Sequence, residues 1–174
     1  MKIALIVVFV LVAALLVVML VGLMLPKAHR ASRAARFSAS PETIWAVLID
    51  YSKYPTWRTN LKSVEALPAV NGMAAWREIG MRGQAIPFVI VESDAPRRMK
   101  TKINDSGLPF GGTWTFEVTP TGDGGSVVRI TEDGEVYNPV FRFVSRYFMG
   151  YTATIDSYLK ALGAKFGETP TLEN

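Results

Sequence analysis

"SPETIWAVLIDYSKYPTW", residues 40–57, is the stretch on which the fold turns. Ser40 is a helix-capping residue, and Pro41 follows at the first helical position, where a missing N–H costs nothing. Ile44, Val47 and Leu48 then recur at helical spacing and form one apolar face. Asp50 closes the run, and Pro55 interrupts the short helix or turn predicted over "DYSKYPTWR". A short capped helix with a single apolar stripe needs a surface to lie on, and the sequence on either side supplies it.

Upstream, "HRASRAARFSAS" (29–40) alternates loosely and predicts a strand. Downstream, from about 61 to 137, the period changes to that of strands. The runs "LKSVEALPAV", "MAAWREIG", "QAIPFVIVES", "RRMKTKIN", "GTWTFEVTP" and "GSVVRITEDGEVY" are separated by turn signals such as Asn71-Gly72, Arg82-Gly83 and "TGDGG". The clearest alternation sets Trp114, Phe116 and Val118 against Thr113, Thr115 and Glu117. Arg98, Lys100 and Lys102 share the other kind of face, a solvated one.

From Pro139 to about Phe166 the residues Val140, Val144, Phe148, Tyr151, Ile155, Leu159, Leu162 and Phe166 step by three or four. This predicts one continuous helix of roughly 40 Å. Its broad apolar side requires a concave partner, which a curved antiparallel sheet of six to seven strands would provide. Strands grouped between terminal helices indicate an α+β domain. The joint is "TEDGEVYNPVFRF" (131–143), where Asn138 can cap and Pro139 can open the long helix. Asp133-Gly134 inside the preceding strand suggests a bulge or a sharp bend. Strict alternation puts Glu132 on the face of Val128 and Ile130, with Glu135 opposite. A bulge at Gly134 would bring both carboxylates to one side.

Residues 3–25, "IALIVVFVLVAALLVVMLVGLML", carry no charge and no strongly polar side chain. As a helix they extend roughly 35 Å, enough to cross a hydrocarbon core of about 30 Å. The apolar region of a cleaved signal holds only about 7–15 residues, so a retained single-pass anchor over residues 1–26 is expected. A folded domain over 27–167 and a tail at 168–174 follow. Lys27, Arg30, Arg33 and Arg36 after the span, against Lys2 before it, favour a cytoplasmic domain.

Composition excludes several chemistries. The chain of 174 residues has no cysteine and one histidine, His29, just past the span. With His29 held at the membrane, a Ser-His-Asp or Cys-His arrangement is excluded, as are the usual zinc sites and a two-histidine iron site. No metal and no cofactor is expected. A net charge of +4 without a long basic run argues against nucleic-acid binding. The glycine-rich pieces "GLPFGG" and "TGDGG" match no phosphate-binding pattern and predict hairpin turns.

Ser40-Pro41-Glu42-Thr43-Ile44-Trp45, running on to Asp50 and then Tyr54-Pro55-Thr56-Trp57, together with the closing "SYLKALGAKF", resembles the START-like or SRPBCC helix-grip superfamily. Within it the chain looks most like the polyketide cyclase/dehydrase-type branch. The resemblance covers about residues 28–167 and implies an apolar cavity between the sheet and the long helix. Its members range from lipid and steroid carriers to aromatic cyclases, so the fold does not specify the chemistry.

Given such a cavity, Trp45, Trp57, Trp76, Phe88 and Trp114 are candidates to line it. Phe116, Phe148, Tyr151 and Ile155 join them. Acid–base work would fall to a carboxylate raised in pKa by desolvation, with Glu78, Glu132 and Glu135 as candidates and Asp133 beside them. Arg77 and Glu78 point to opposite faces of their strand, so one of them points inward. The leading expectation is membrane-anchored binding of a hydrophobic small molecule: a lipid, an isoprenoid or an aromatic compound. A cyclase or dehydratase using a cavity carboxylate and a membrane-tethered protein-interaction domain are the alternatives.

Overall fold

The computed structural model describes residues 2–174. Helix α1 (Lys2–Met24) is apolar and exposed along almost its whole length. It is long and apolar enough to cross a membrane. Three residues later strand β1 (Ala28–Phe37) begins. Helix α2 (Pro41–Ile49) starts as its sequence dictates, with the Ser40 hydroxyl accepting from the Thr43 N–H at 3.3 Å. A 3₁₀ turn (Tyr51–Thr56) holds Pro55 and leads to the sheet.

Six strands follow: β2 (Leu61–Val70), β3 (Met73–Gly80), β4 (Ala85–Asp94), β5 (Arg98–Ile103), β6 (Phe110–Pro120) and β7 (Ser126–Val136). Each is antiparallel to its neighbour, and β1 closes against β7, giving the order β2-β3-β4-β5-β6-β7-β1. Leu172–Glu173 adds a two-residue β8 beside β1, so the described sheet has eight strands rather than six or seven.

No bulge forms at Gly134. Strand β7 pairs without a shift on both sides, Glu132 with Ala31 and Trp114, and Gly134 with His29 and Gly112. Gly112 explains why the strand needs none: at φ +127° it approaches β7 so closely that a Cβ would meet the backbone of Asp133. Two facing glycines bring the strands together and keep the ladder in register.

The C-terminal helical segment enters as expected, with Asn138 Oδ1 accepting from the N–H groups of Val140 and Phe141. It does not run straight to Phe166. Helix α3 (Pro139–Val144) passes into a π turn (Ser145–Met149), and Gly150 at φ +74° breaks the chain before α4 (Ala153–Lys165). The helix that lies against the sheet is therefore α4, about 20 Å long. Ile155, Leu159 and Leu162 on it are fully buried against Phe116, Val128 and Ile130. Truncating either leucine to alanine costs about 2–5 kcal/mol by the usual core scale.

Helix α3 packs against α1 instead. Gly22 permits this, because a Cβ there would collide with the carbonyl of Pro139. The buried Arg142 guanidinium donates to Leu25 O at 2.9 Å and to Tyr137 O at 3.2 Å, satisfying a carbonyl just past the end of α1.

Candidate functional site

The concave face of the sheet, α3, the π turn and α4 enclose a cavity of about 490 Å³. Its floor is aromatic because the inward positions of successive strands are aromatic: Trp76 on β3, Phe88 on β4, Trp114 and Phe116 on β6. Trp76 is stacked between Tyr51 and Phe88, at centroid distances of 4.9 and 5.7 Å. Tyr151, just beyond the helix break, closes one side.

Four other aromatic and aliphatic candidates lie elsewhere. Trp45, Trp57 and Ile155 are buried in the core between helices and sheet, outside the cavity lining. Phe148 is 77% exposed on the π turn. The expectation of one straight helix put Phe148 on the buried stripe, and the turn of π geometry rotates it outward.

Two polar clusters border the apolar floor. At the first, Glu78 points inward and Arg77 outward, where it pairs with Glu65. Glu78 Oε1 accepts from Arg58 Nη1 at 2.8 Å and from the Trp76 indole N–H at 3.3 Å. The Arg58 guanidinium also lies over the rings of Tyr54 and Tyr158, 5.1 and 4.9 Å from their centroids, a cation–π arrangement. Burial pushes the Tyr158 hydroxyl up to about 12. Its oxygen has no hydrogen-bond partner among the described residues. Arg58 directly follows the Pro-x-Trp segment, and its pairing with a strand twenty residues on leaves no local sequence signal.

At the second cluster, His29 lies on β1 with its imidazole stacked on Tyr151, centroids 4.1 Å apart. Its Nε2 is 3.7 Å from Glu132 Oε1. His29 therefore lines the cavity, and the exclusion of histidine chemistry, which supposed the residue held at the membrane, does not follow. The residue belongs to the inward face of β1, in alternation with Ala31, Ala35 and Phe37. Counting back by two from Phe37 would have found it. Burial lowers the His29 pKa from the ordinary 6.5. Burial likewise raises that of Glu132 from 4.5, with the Trp114 indole N–H pulling the other way. A half-buried base that resists protonation and a half-buried acid inclined to hold its proton thus face the same cavity.

Glu135 is exposed at the cavity rim and accepts from the Tyr137 hydroxyl at 2.8 Å. Asp133 faces solvent and pairs with Arg30. Among the described residues no group of three or more His, Cys, Asp or Glu side chains is gathered to hold a metal ion.

Comparison with known proteins agrees with this architecture. Residues 28–166 match the family model described as polyketide cyclase / dehydrase and lipid transport. A START superfamily protein from Mycobacterium smegmatis superposes with a TM-score of 0.62 at 22% identity, over 79% of this chain and 96% of that one. A conserved protein from Geobacillus kaustophilus gives 0.64 at 18%, over 84% and 100%. Norcoclaurine synthase from Thalictrum flavum gives 0.62 at 16%, over 81% and 87%. At these identities the likeness is one of fold. Among curated proteins none matches the sequence.

Proposed function

The chain belongs to the polyketide cyclase / dehydrase and lipid transport family, and from that premise we propose that it binds a hydrophobic small molecule while held at a membrane by α1. The observation that carries this reading is the 490 Å³ cavity with its floor of Trp76, Phe88, Trp114 and Phe116. A concave apolar site of this size with a few convergent polar groups suits a small ligand. A lipid, isoprenoid or aromatic compound taken from the bilayer fits the anchor, and a cytoplasmic domain fits the basic residues after it. The test is extraction and mass spectrometry of the purified domain, residues 27–174. A bound apolar compound near one per chain is expected. An empty domain whose crystal structure has a filled interior would sink the reading.

A second reading is favoured by one observation, the placement of Glu132 3.7 Å from His29 inside the cavity. In that reading the pair moves a proton on a bound apolar substrate, as a cyclase or dehydratase requires. Glu132→Gln and His29→Gln would then each abolish turnover while leaving ligand affinity within about threefold, since uncharged isosteres keep the cavity shape.

A further inference from the structure

One segment of the domain, residues 137–149, exposes an unusual run of large apolar side chains: Tyr137 42%, Phe141 49%, Tyr147 57%, Phe148 77% and Met149 64%. Apart from α1, the other exposed large hydrophobics of the described residues are Ile49, Val70, Met81 and Val91, scattered singly on separate elements. Scattered residues need no partner; a grouped patch does. This one is grouped, for Phe143 packs its ring against Tyr147 and Phe148 at 4.9 and 6.1 Å.

The patch has a defined position relative to α1. Pro139 sits against Gly22, and Arg142 donates to Leu25 O, so α3 is fastened to the C-terminal turn of α1. If α1 spans a bilayer, that turn lies where hydrocarbon gives way to headgroups. Tyrosine and tryptophan concentrate at this depth, and lysine and arginine extend their charges into the headgroups. Lys27 and Arg146 are exposed beside the patch and make no ion pair among the described residues.

We propose that residues 137–149 lie in the interfacial layer of the bilayer beside α1, with anionic headgroups against Lys27 and Arg146. The inference rests on the reading of α1 as a membrane span. The inner side of the same segment, through Phe141, Val144, Ser145 and Met149, lines the cavity. Phe141 and Met149 are thus exposed and line the cavity at once, so the patch adjoins the cavity's open margin. A second copy of the chain is the poorer occupant, because a two-fold contact through this patch would bring the unpaired Lys27 and Arg146 of both copies into one interface with no acidic partner among them.

The absence of cysteine makes the test clean. Single-cysteine variants of the full chain, Phe148→Cys, Leu16→Cys and Thr119→Cys, are labelled with an environment-sensitive fluorophore. They are reconstituted in vesicles of phosphatidylcholine and phosphatidylglycerol with or without doxyl-labelled lipid. Thr119 is exposed at the opposite end of β6 from Phe110, about 30 Å away. Doxyl lipid is expected to quench the labels at 16 and 148 at least twofold and to leave 119 unaffected. A label at 148 that behaves like 119 while 16 is quenched overturns the inference and leaves the anchor standing. No quenching at 16 overturns the anchor itself and the inference with it. A label at 148 shielded from aqueous quencher but untouched by doxyl lipid means that protein covers the patch, which also overturns it.

Discussion

Gly134 stands directly opposite His29 across the β7–β1 pairing, and the imidazole fills the volume that a side chain at 134 would need. A Cβ there would lie 2.6 Å from His29 Nε2 and 3.0 Å from a carboxylate oxygen of Glu132. Gly134→Ala should therefore expel the ring. Overpacking at such a site costs about 1–3 kcal/mol, visible in urea unfolding. The expelled imidazole should titrate nearer its ordinary 6.5. His29 is the chain's one histidine, so a single NMR titration reads the effect directly. An unchanged titration would show that Gly134 does not hold the ring in place.

Arg58 and Glu78 are both nearly buried, with side-chain exposures of 11% and 9%. Removing one partner leaves an uncompensated buried charge, so Arg58→Ala should cost about 3–5 kcal/mol. Arg58→Met combined with Glu78→Gln should cost less than Arg58→Ala alone, since no charge is stranded. Chemical denaturation of the domain lacking α1 measures both. A double variant less stable than the single one would refute the argument from burial.

The two half-buried groups of the second cluster predict pH effects of opposite sign. The folded His29 resists protonation, so the unfolded chain binds more protons just below 6.5 and stability falls as pH is lowered through that window. His29→Gln should flatten this slope. The folded Glu132 holds its proton more readily than the unfolded chain does. Its contribution is fully present below 4.5 and is lost as pH rises through the folded value. Glu132→Gln should remove that loss, so the variant gains stability relative to the parent as pH rises above 4.5. Parallel melts between pH 4 and 8 for parent and variants separate the two; identical profiles in all three would contradict the shifts.

Gly22 and Pro139 give a prediction about α3 alone. Gly22→Leu forces a side chain into the Pro139 carbonyl and should part α3 from α1 without disturbing the sheet. The buried Arg142 would then become a site for trypsin, and cleavage after it should rise at least several-fold in reconstituted vesicles. Unchanged cleavage would mean that α3 keeps its place without α1.

How much of this was readable in the sequence depended on how local the determining chemistry is. The caps at Ser40 and Asn138, each with a following proline, act within three residues, and both helices start where those pairs predict. Strand alternation, a two-residue rule, set Arg77 and Glu78 on opposite faces without saying which looks inward, and put Glu132 on the face of Val128 and Ile130. The break at Gly150 was hidden because apolar residues continue at helical spacing on both sides of it, although only glycine is at ease at its φ of +74°. The expected bulge at Gly134 failed for a reason outside β7: the space that glycine leaves is used by His29 on β1 and by the close approach of Gly112 on β6. Such cross-strand fitting has no signature in either strand read alone, and the same is true of the meeting of Arg58 with Glu78.

Only Leu25, Pro26 and Lys27 connect α1 to β1. Three residues extend at most about 11 Å, less than the width of the domain they carry. With α1 in a bilayer, the domain cannot swing out to a second membrane or travel with cargo through the surrounding solution. On the proposed reading of α1 as an anchor, the domain is a fixed berth rather than a ferry. A ligand of its cavity would then be received from, and surrendered to, the same patch of membrane or an acceptor that comes to it.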